Sequence, residues 1–217
     1  CNSGDVRASK PDMSAFRELL DHPEVEEVCV LRGHERDHRL GFMAYHGGGL
    51  EEMTEVIAQA AAERAGVSYY GVHQPTGMER HIPSIEVSPE HSDQLRSFVD
   101  HVHCVITIHG FGRWGFFSSL LVGGRHRDLA EHVGQHLRDH LPAYDIVTDI
   151  DRIPKDLRGM HPRNPVNLPP HAGVQIELPP RVRGSSPLWW DWEGPGLTPH
   201  TESLVSALAL AASTWSP

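Results

Sequence analysis

The stretch AYHGGGLEE, residues 44–52, decides how this chain is read. It lies where an apolar run, RLGFMAYH (39–46), gives way to one with helical spacing, LEEMTEVIAQAAAERAG (50–66). His46 ends a predicted strand, and Gly47, Gly48 and Gly49 leave the backbone unobstructed. Glu51 and Glu52 open the next helix. A histidine and two carboxylates around bare backbone suit a metal or a substrate.

Working outward, strands and helices alternate. MSAFRELLDH (13–22) has helical spacing with Ser14 near its start; EEVCVLRG (26–33) is strand-like. The helix over 50–66 carries Met53, Val56, Ile57, Ala60 and Ala61 on one face and ends at Gly66. VSYYGV (67–72) reads as a strand, and SPEHSDQLRSFVDHV (88–102) as a helix capped by Ser88 with Pro89 in its first turn. HCVITIHG (103–110) is a buried strand ending in His109 and Gly110. GFFSSLLVGG (115–124), AYDIVTD (143–149) and GVQIELPP (173–180) supply three more strands, with a helix RDLAEHVGQHLRDHL (127–141) among them. Residues 152–172 hold five prolines and read as a long loop, which in a compact domain is functional or disordered. SSPLWWDWEGPG (185–196) is irregular, and the last helix runs from about His200 to Ser213. This alternation predicts a single α/β domain over 1–217, with a mixed, mostly parallel central sheet, helices on both faces, and 1–11 as a flexible N-terminal segment.

Composition narrows the function. At 217 residues and 24.1 kDa, one good core is the default. A formal charge of −10 and the lack of any Lys/Arg block argue against nucleic acid, which demands a basic face. No apolar stretch approaches the roughly 20 residues that cross a bilayer, so no transmembrane segment is expected. Cys1, Cys29 and Cys104 form no CxxC pair, and the latter two sit in strand-like runs as buried thiols. A first residue of Cys fits a lipid-anchored mature N-terminus of a secreted protein, or an artificial start to the expressed chain; localisation stays open. A monomer is expected.

Three predicted strands end in a polar group: His46, His109 and Glu177. In open α/β sheets, sites form beyond the carboxyl ends of the strands, where residues distant in sequence meet. Two imidazoles and a carboxylate are the ligand set of a catalytic zinc that keeps a position open for water. Glu51 is the carboxylate nearest His46, which leaves Glu177 free for acid/base work. A lone histidine at a strand end is more often hydrogen-bonded or on the surface. His46 and His109 differ from the other fifteen in ending an apolar strand and preceding a glycine. His132, His136 and His140 share a helix face at i, i+4 spacing, but their charged neighbours favour a solvated face.

HGGGLE (46–51), ITIHG (106–110), LLVGGR (120–125) and GVQIEL (173–178), with a weaker RHIPS (80–84), together resemble the phage-type poly-γ-glutamate hydrolases, zinc peptidases related in fold to the zinc carboxypeptidases. The resemblance covers roughly residues 40–178. It implies His46, Glu51 and His109 as Zn²⁺ ligands, Glu177 as the general base, and Arg125 as a contact to a substrate carboxylate, with Asn164 and Asn167 also at the substrate. His126 departs from the acidic residue expected after Gly-Gly-Arg, and RNPVNLPPHA (163–172) keeps only those two asparagines of an Asn-rich stretch. The implied activity is zinc-dependent hydrolysis of amide bonds in poly-γ-glutamate or γ-glutamyl-type chains. The alternatives are an amidase or carboxypeptidase acting on another acidic or cell-wall peptide, and a metal-dependent protein that only binds its ligand. A polyanionic substrate calls for local positive charge, and Arg125, Arg163, Arg181 and Arg183 are available. Trp189, Trp190 and Trp192 either roof the site or pack the last helix.

Overall fold

The computed structural model describes residues 14–33 and 39–217; Cys1 and the N-terminal segment 1–11 lie outside them. Helix α1 is Ala15–Leu20, capped by the Ser14 side chain accepting from the Arg17 amide. Strand β1 (Glu26–Val30) and strand β2 (Leu40–Gly48) precede helix α2 (Thr54–Ala65), strand β3 (Ser68–Gln74), helix α3 (Asp93–His101) and strand β4 (Cys104–Gly110). Then follow strand β5 (Ser119–Val122), helix α4 (Arg127–His140), strand β6 (Asp145–Val147), strand β7 (Gly173–Leu178), the single turn α5 (Pro180–Arg183) and helix α6 (Pro199–Thr214).

The seven strands form one sheet in the order β1-β3-β2-β4-β7-β5-β6. β3, β2, β4 and β7 run parallel, as do β5 and β6; β1 and the β5–β7 pairing are antiparallel. The mixed, mostly parallel sheet expected from the alternation is therefore present. Period-two alternation divides the central strands between two cores. Ile106, Ile108, Val174 and Ile176 face α2, α4 and α6 in the larger core. Met43, Tyr45, Tyr70, Val72 and Val105 face α1 and α3 in the smaller one.

Three local expectations change. Helix α2 starts at Thr54, because Met53 takes a left-handed φ of 72° that no helix continues, so Glu51 and Glu52 lie in the turn before the helix rather than opening it. Its buried face is Ile57, Ala58, Ala61, Ala62 and Ala65, with Val56 exposed. Alanine on every side left the phase of the stripe to packing against α6. Helix α3 starts at Asp93 rather than beside Ser88, since the Ser92 hydroxyl accepts from the Leu95 amide at 2.9 Å and caps it first.

Candidate metal centre and active site

The carboxyl ends of β2, β4 and β7 meet over the face of the sheet turned away from α2, α4 and α6. His109 and Glu177 are register partners on adjacent parallel strands. Their side chains therefore stand on the same face, about 4.8 Å apart at the backbone. Bringing His46 to them takes a bulge: Ala44 pairs with Gly71 and Gly47 with His73, so Tyr45 and His46 together oppose a single residue. A bulge re-aims side chains. Both rings reach His109 as a result, with centroids 4.9 Å from it for Tyr45 and 5.1 Å for His46.

The three glycines then let the chain turn. Gly48 has φ 73°, and a Cβ there would collide with the carbonyl oxygen of Gln74. What approaches this bare backbone is the end of β3: the Gly49 amide donates to Gln74 O at 2.9 Å. The Glu51 amide donates back to His46 O at 3.0 Å, closing a turn that aims the Glu51 carboxylate at the two imidazoles. Glu51 Oε1 is 2.9 Å from His46 Nδ1, and its Oε2 is 3.3 Å from His109 Nδ1 while accepting the Gly110 amide at 2.9 Å. Behind this turn, Gly110 admits the buried Arg183, which donates to Leu178 O and Glu52 O; a Cβ at Gly110 would meet its guanidinium carbon at 2.8 Å.

The other ring nitrogens are engaged. His46 Nε2 lies 2.8 Å from Ile82 O, a pure acceptor, so it carries a proton. His109 Nε2 lies 3.0 Å from the Tyr45 hydroxyl. Both Nδ1 atoms face the Glu51 carboxylate; for His46, whose Nε2 already carries the proton, this sets acceptor against acceptor unless a cation lies between them. Burial opposes charge on Glu51, yet His109 and His46 outweigh it and hold the carboxyl far below the usual range. His109 is raised, burial being overcome by Glu51. Protons or one divalent metal would satisfy this set, and the second-row bond from each imidazole to a fixed partner is the usual device that orients a metal-binding ring. Among the described residues, His46, Glu51 and His109 form the one His/Cys/Asp/Glu group able to hold an ion, with ligand atoms within 4.8 Å of one another. The residues fit a metal.

Glu177 is 4 % exposed, and burial pushes its carboxyl up to about 7 despite His109 beside it. Gln175, two residues back on the same face, donates Nε2–H to Glu177 Oε1 at 2.7 Å. Beside the pair opens a groove of about 670 Å³ bounded by His81, Lys155, Met160, His161, Asn164 and Gln175. A groove of about 720 Å³ along Ser14, Ile85–His91 and Arg163 is larger, but it has no ligating cluster; chemistry rather than volume selects the first.

The remaining expected residues are dispersed. Asn164 is buried in hydrogen bonds beside Tyr45 and Gln175. Asn167 donates to Gly159 O and His161 O and accepts the Arg125 amide at 3.3 Å, tying the proline-rich loop to β5–α4. The His126 amide bonds Gly173 O, so Arg125 sits where β7 begins, four residues before Glu177, or about 13 Å along the strand. Arg163 borders the second groove, and Arg181 donates to Ser118 and covers the Tyr144 ring. His132 and His136 are half-buried against α6, bonded to Ala211 O and Thr214 rather than solvated. Trp189 packs on His200 at the start of α6, while Trp190 is exposed. Tyr45, Gln175 and the Ile82 carbonyl escaped the sequence reading. Only Gln175 left a signal there: a second polar residue two positions before Glu177 in an otherwise apolar strand shares its face.

The α/β sheet has a carboxypeptidase-like fold, and the two-histidine, one-carboxylate cradle at its strand ends is a group that could hold a metal ion. The family model for poly-gamma-glutamate hydrolase matches residues 13–186. The chain belongs to the poly-gamma-glutamate hydrolase family, and it is a hydrolase of the metallopeptidase and amidase kind. The solved bacteriophage poly-gamma-glutamate hydrolase superimposes with a TM-score of 0.69 at 18% identity over 87% of each chain. The zinc-free form of YNDL superimposes with 0.68 at 17% identity, over 88% of this chain and 90% of that one. A putative carboxypeptidase from Burkholderia mallei gives 0.50 at 12% identity, over 89% of this chain and 64% of that longer one. Against curated proteins the sequence finds no match.

Proposed function

We propose that the chain cleaves γ-linked amide bonds in poly-γ-glutamate, with zinc held by His46, Glu51 and His109 and with Glu177 as the general base. The observation that carries this reading is the convergence of two Nδ1 atoms and a carboxylate, their outer nitrogens already engaged, one strand away from a buried carboxyl that titrates near neutrality. When bound, zinc polarises a carbonyl oxygen and lowers the pKa of water toward about 7. Glu177 takes the proton of the attacking water and returns it to the departing amide nitrogen, a role suited to a pKa near the working pH. Gln175 holds one oxygen of that carboxylate, leaving the other for the water. The polymer lies in the groove beside Gln175, where Lys155 and His161 meet its free carboxylates. Arg125, some 13 Å further on, meets a carboxylate several units from the cleaved bond.

The test is to incubate the zinc-loaded chain with γ-linked and with α-linked polyglutamate, following chain length on a gel and metal by elemental analysis. The γ-linked polymer shortens, and about one zinc per chain is lost in His46→Ala, Glu51→Ala or His109→Ala but kept in His136→Ala. Unshortened γ-polymer, or full zinc in His46→Ala, refutes the reading.

A further inference from the structure

Five buried polar side chains form a continuous hydrogen-bonded chain from His109 to Glu177. Tyr45, Asn164, Gln175, His109 and Glu177 are each at most 5 % exposed. The Tyr45 hydroxyl is 3.0 Å from His109 Nε2 and 3.3 Å from Asn164 Oδ1, Asn164 Nδ2 is 2.8 Å from Gln175 Oε1, and Gln175 Nε2 is 2.7 Å from Glu177 Oε1. Chain-linked amides could run in either direction, but here a backbone group fixes the polarity. The Val166 amide can only donate, and it donates to Asn164 Oδ1 at 3.1 Å. That orients the Asn164 amide, so Nδ2 donates to Gln175 Oε1, and Gln175 in turn presents Nε2 to Glu177. In the other direction Asn164 Oδ1 accepts from the Tyr45 hydroxyl. The Tyr45 oxygen, its own hydrogen committed, is left to accept from His109.

We propose that Tyr45, Asn164 and Gln175 are positioning residues: a one-way hydrogen-bond chain that forces His109 into the Nε2–H tautomer, with its Nδ1 lone pair in the metal cradle, and that holds the Glu177 carboxylate as base. The proposal rests on the metal and base roles given above. It links two groups that would otherwise be set independently, through a loop (163–167) and two strands, and it gives Asn164 a role that needs no substrate contact. Losing such a partner of a metal-binding imidazole costs about 10- to 100-fold in metal affinity or activity.

Three variants separate the two ends of the chain. Tyr45→Phe removes the acceptor for His109 Nε2–H; zinc affinity, measured by chelator competition on the metal-free protein, falls 10- to 100-fold. Gln175→Leu removes the donor to Glu177; zinc affinity holds, while kcat on poly-γ-glutamate at saturating zinc falls at least 10-fold with KM unchanged. Asn164→Asp keeps the acceptor for Tyr45 and Val166 but loses the donor to Gln175, so zinc affinity holds and kcat falls as in Gln175→Leu, while the added charge on the groove wall raises KM for the polyanion. Metal-free melting temperature is recorded for each. A lower melting temperature with wild-type zinc affinity and wild-type kcat means a purely structural network and overturns the proposal. If Tyr45→Phe does not fold, the Gln175→Leu variant decides it: a lowered kcat at saturating zinc with zinc affinity and KM unchanged supports the proposal, and wild-type kcat overturns it. Wild-type protein that binds no zinc, or leaves the polymer intact, refutes the parent reading; wild-type protein that binds zinc and shortens the polymer, alongside unaffected variants, refutes the hydrogen-bond chain alone.

Discussion

Glu177 is caught between burial, which resists its charge, and a histidine that favours it, and burial prevails, lifting the carboxyl from 4.5 to about 7. Between those two values the folded metal-free chain holds a proton that the unfolded chain has released. Stability therefore falls as pH rises from about 4.5 to about 7, by up to roughly 3 kcal/mol from this group. Glu177→Gln removes that slope, so the urea midpoints of wild type and variant, both with chelator, differ more at pH 8 than at pH 5, the variant being the more stable. A pH-independent difference would contradict the buried, protonated state. The same variant keeps its zinc and loses turnover by about 10²- to 10⁴-fold, because the amide preserves shape but takes up no proton. Arg125→Lys keeps the charge and loses the planar fork. If Arg125 meets a distant carboxylate, KM rises several-fold on long polymer and hardly at all on oligomers too short to reach it, with zinc content unchanged. Equal KM values for both substrates would remove Arg125 from the site.

At the scale of elements, the turn from β2 to α2 places the Glu51 carboxylate against His46 and His109. The bulge at Tyr45–His46, the left-handed Gly48 and the left-handed Met53 bracket Glu51 within a few residues. Non-glycine residues in that conformation cost roughly 1–3 kcal/mol and persist where surrounding structure over-determines them, often at functional sites. Gly48→Ala adds the same strain and a clash with Gln74 O. We expect a loss of at least about 2 kcal/mol in stability, together with zinc affinity weakened more than by a comparable destabilisation elsewhere, since Glu51 moves with the turn. Urea unfolding with chelator and zinc titration measure the two effects. Wild-type zinc affinity in Gly48→Ala would mean that Glu51 is positioned independently of the turn.

On the scale of the whole molecule, every described strand belongs to one sheet, and β2 and β4 contribute to both cores. Neither layer can open without exposing the other's support, so the metal-free chain is expected to unfold in one cooperative calorimetric transition, in keeping with a single domain. On the proposed function, zinc would bind only the assembled cradle, whose residues come from two distant segments, 46–51 and the end of β4 at His109. Zinc at 100 times its Kd adds about 2.7 kcal/mol, which for a chain of this size raises Tm by roughly 5–10 °C, reversed by chelator. Two resolved transitions, or a Tm indifferent to zinc, would contradict this coupling. Among the described residues no helix is long and apolar enough to cross a membrane.

Period and punctuation made much of this architecture legible in the sequence. Apolar runs ending in His46, His109 and Glu177 lie on the parallel strands of the sheet's centre, and the alternation in GVQIEL already puts Gln175 and Glu177 on one face. Backbone geometry and side-chain periodicity are local, so residues within a few positions of each other report them. What only the tertiary structure decided depends on contacts between distant segments. The phase of the alanine-rich α2 was set by α6, and the start of α3 by competition between two serines. The bulge that turns His46 toward His109 arises from pairing with β3. The hydrogen-bond chain from His109 to Glu177 passes through Asn164 and takes its direction from the amide of Val166, more than a hundred residues beyond Tyr45. Tyr45 stands beside His46 in the sequence like any core aromatic, because a hydroxyl's partner is fixed by where the chain returns, and nothing local encodes that.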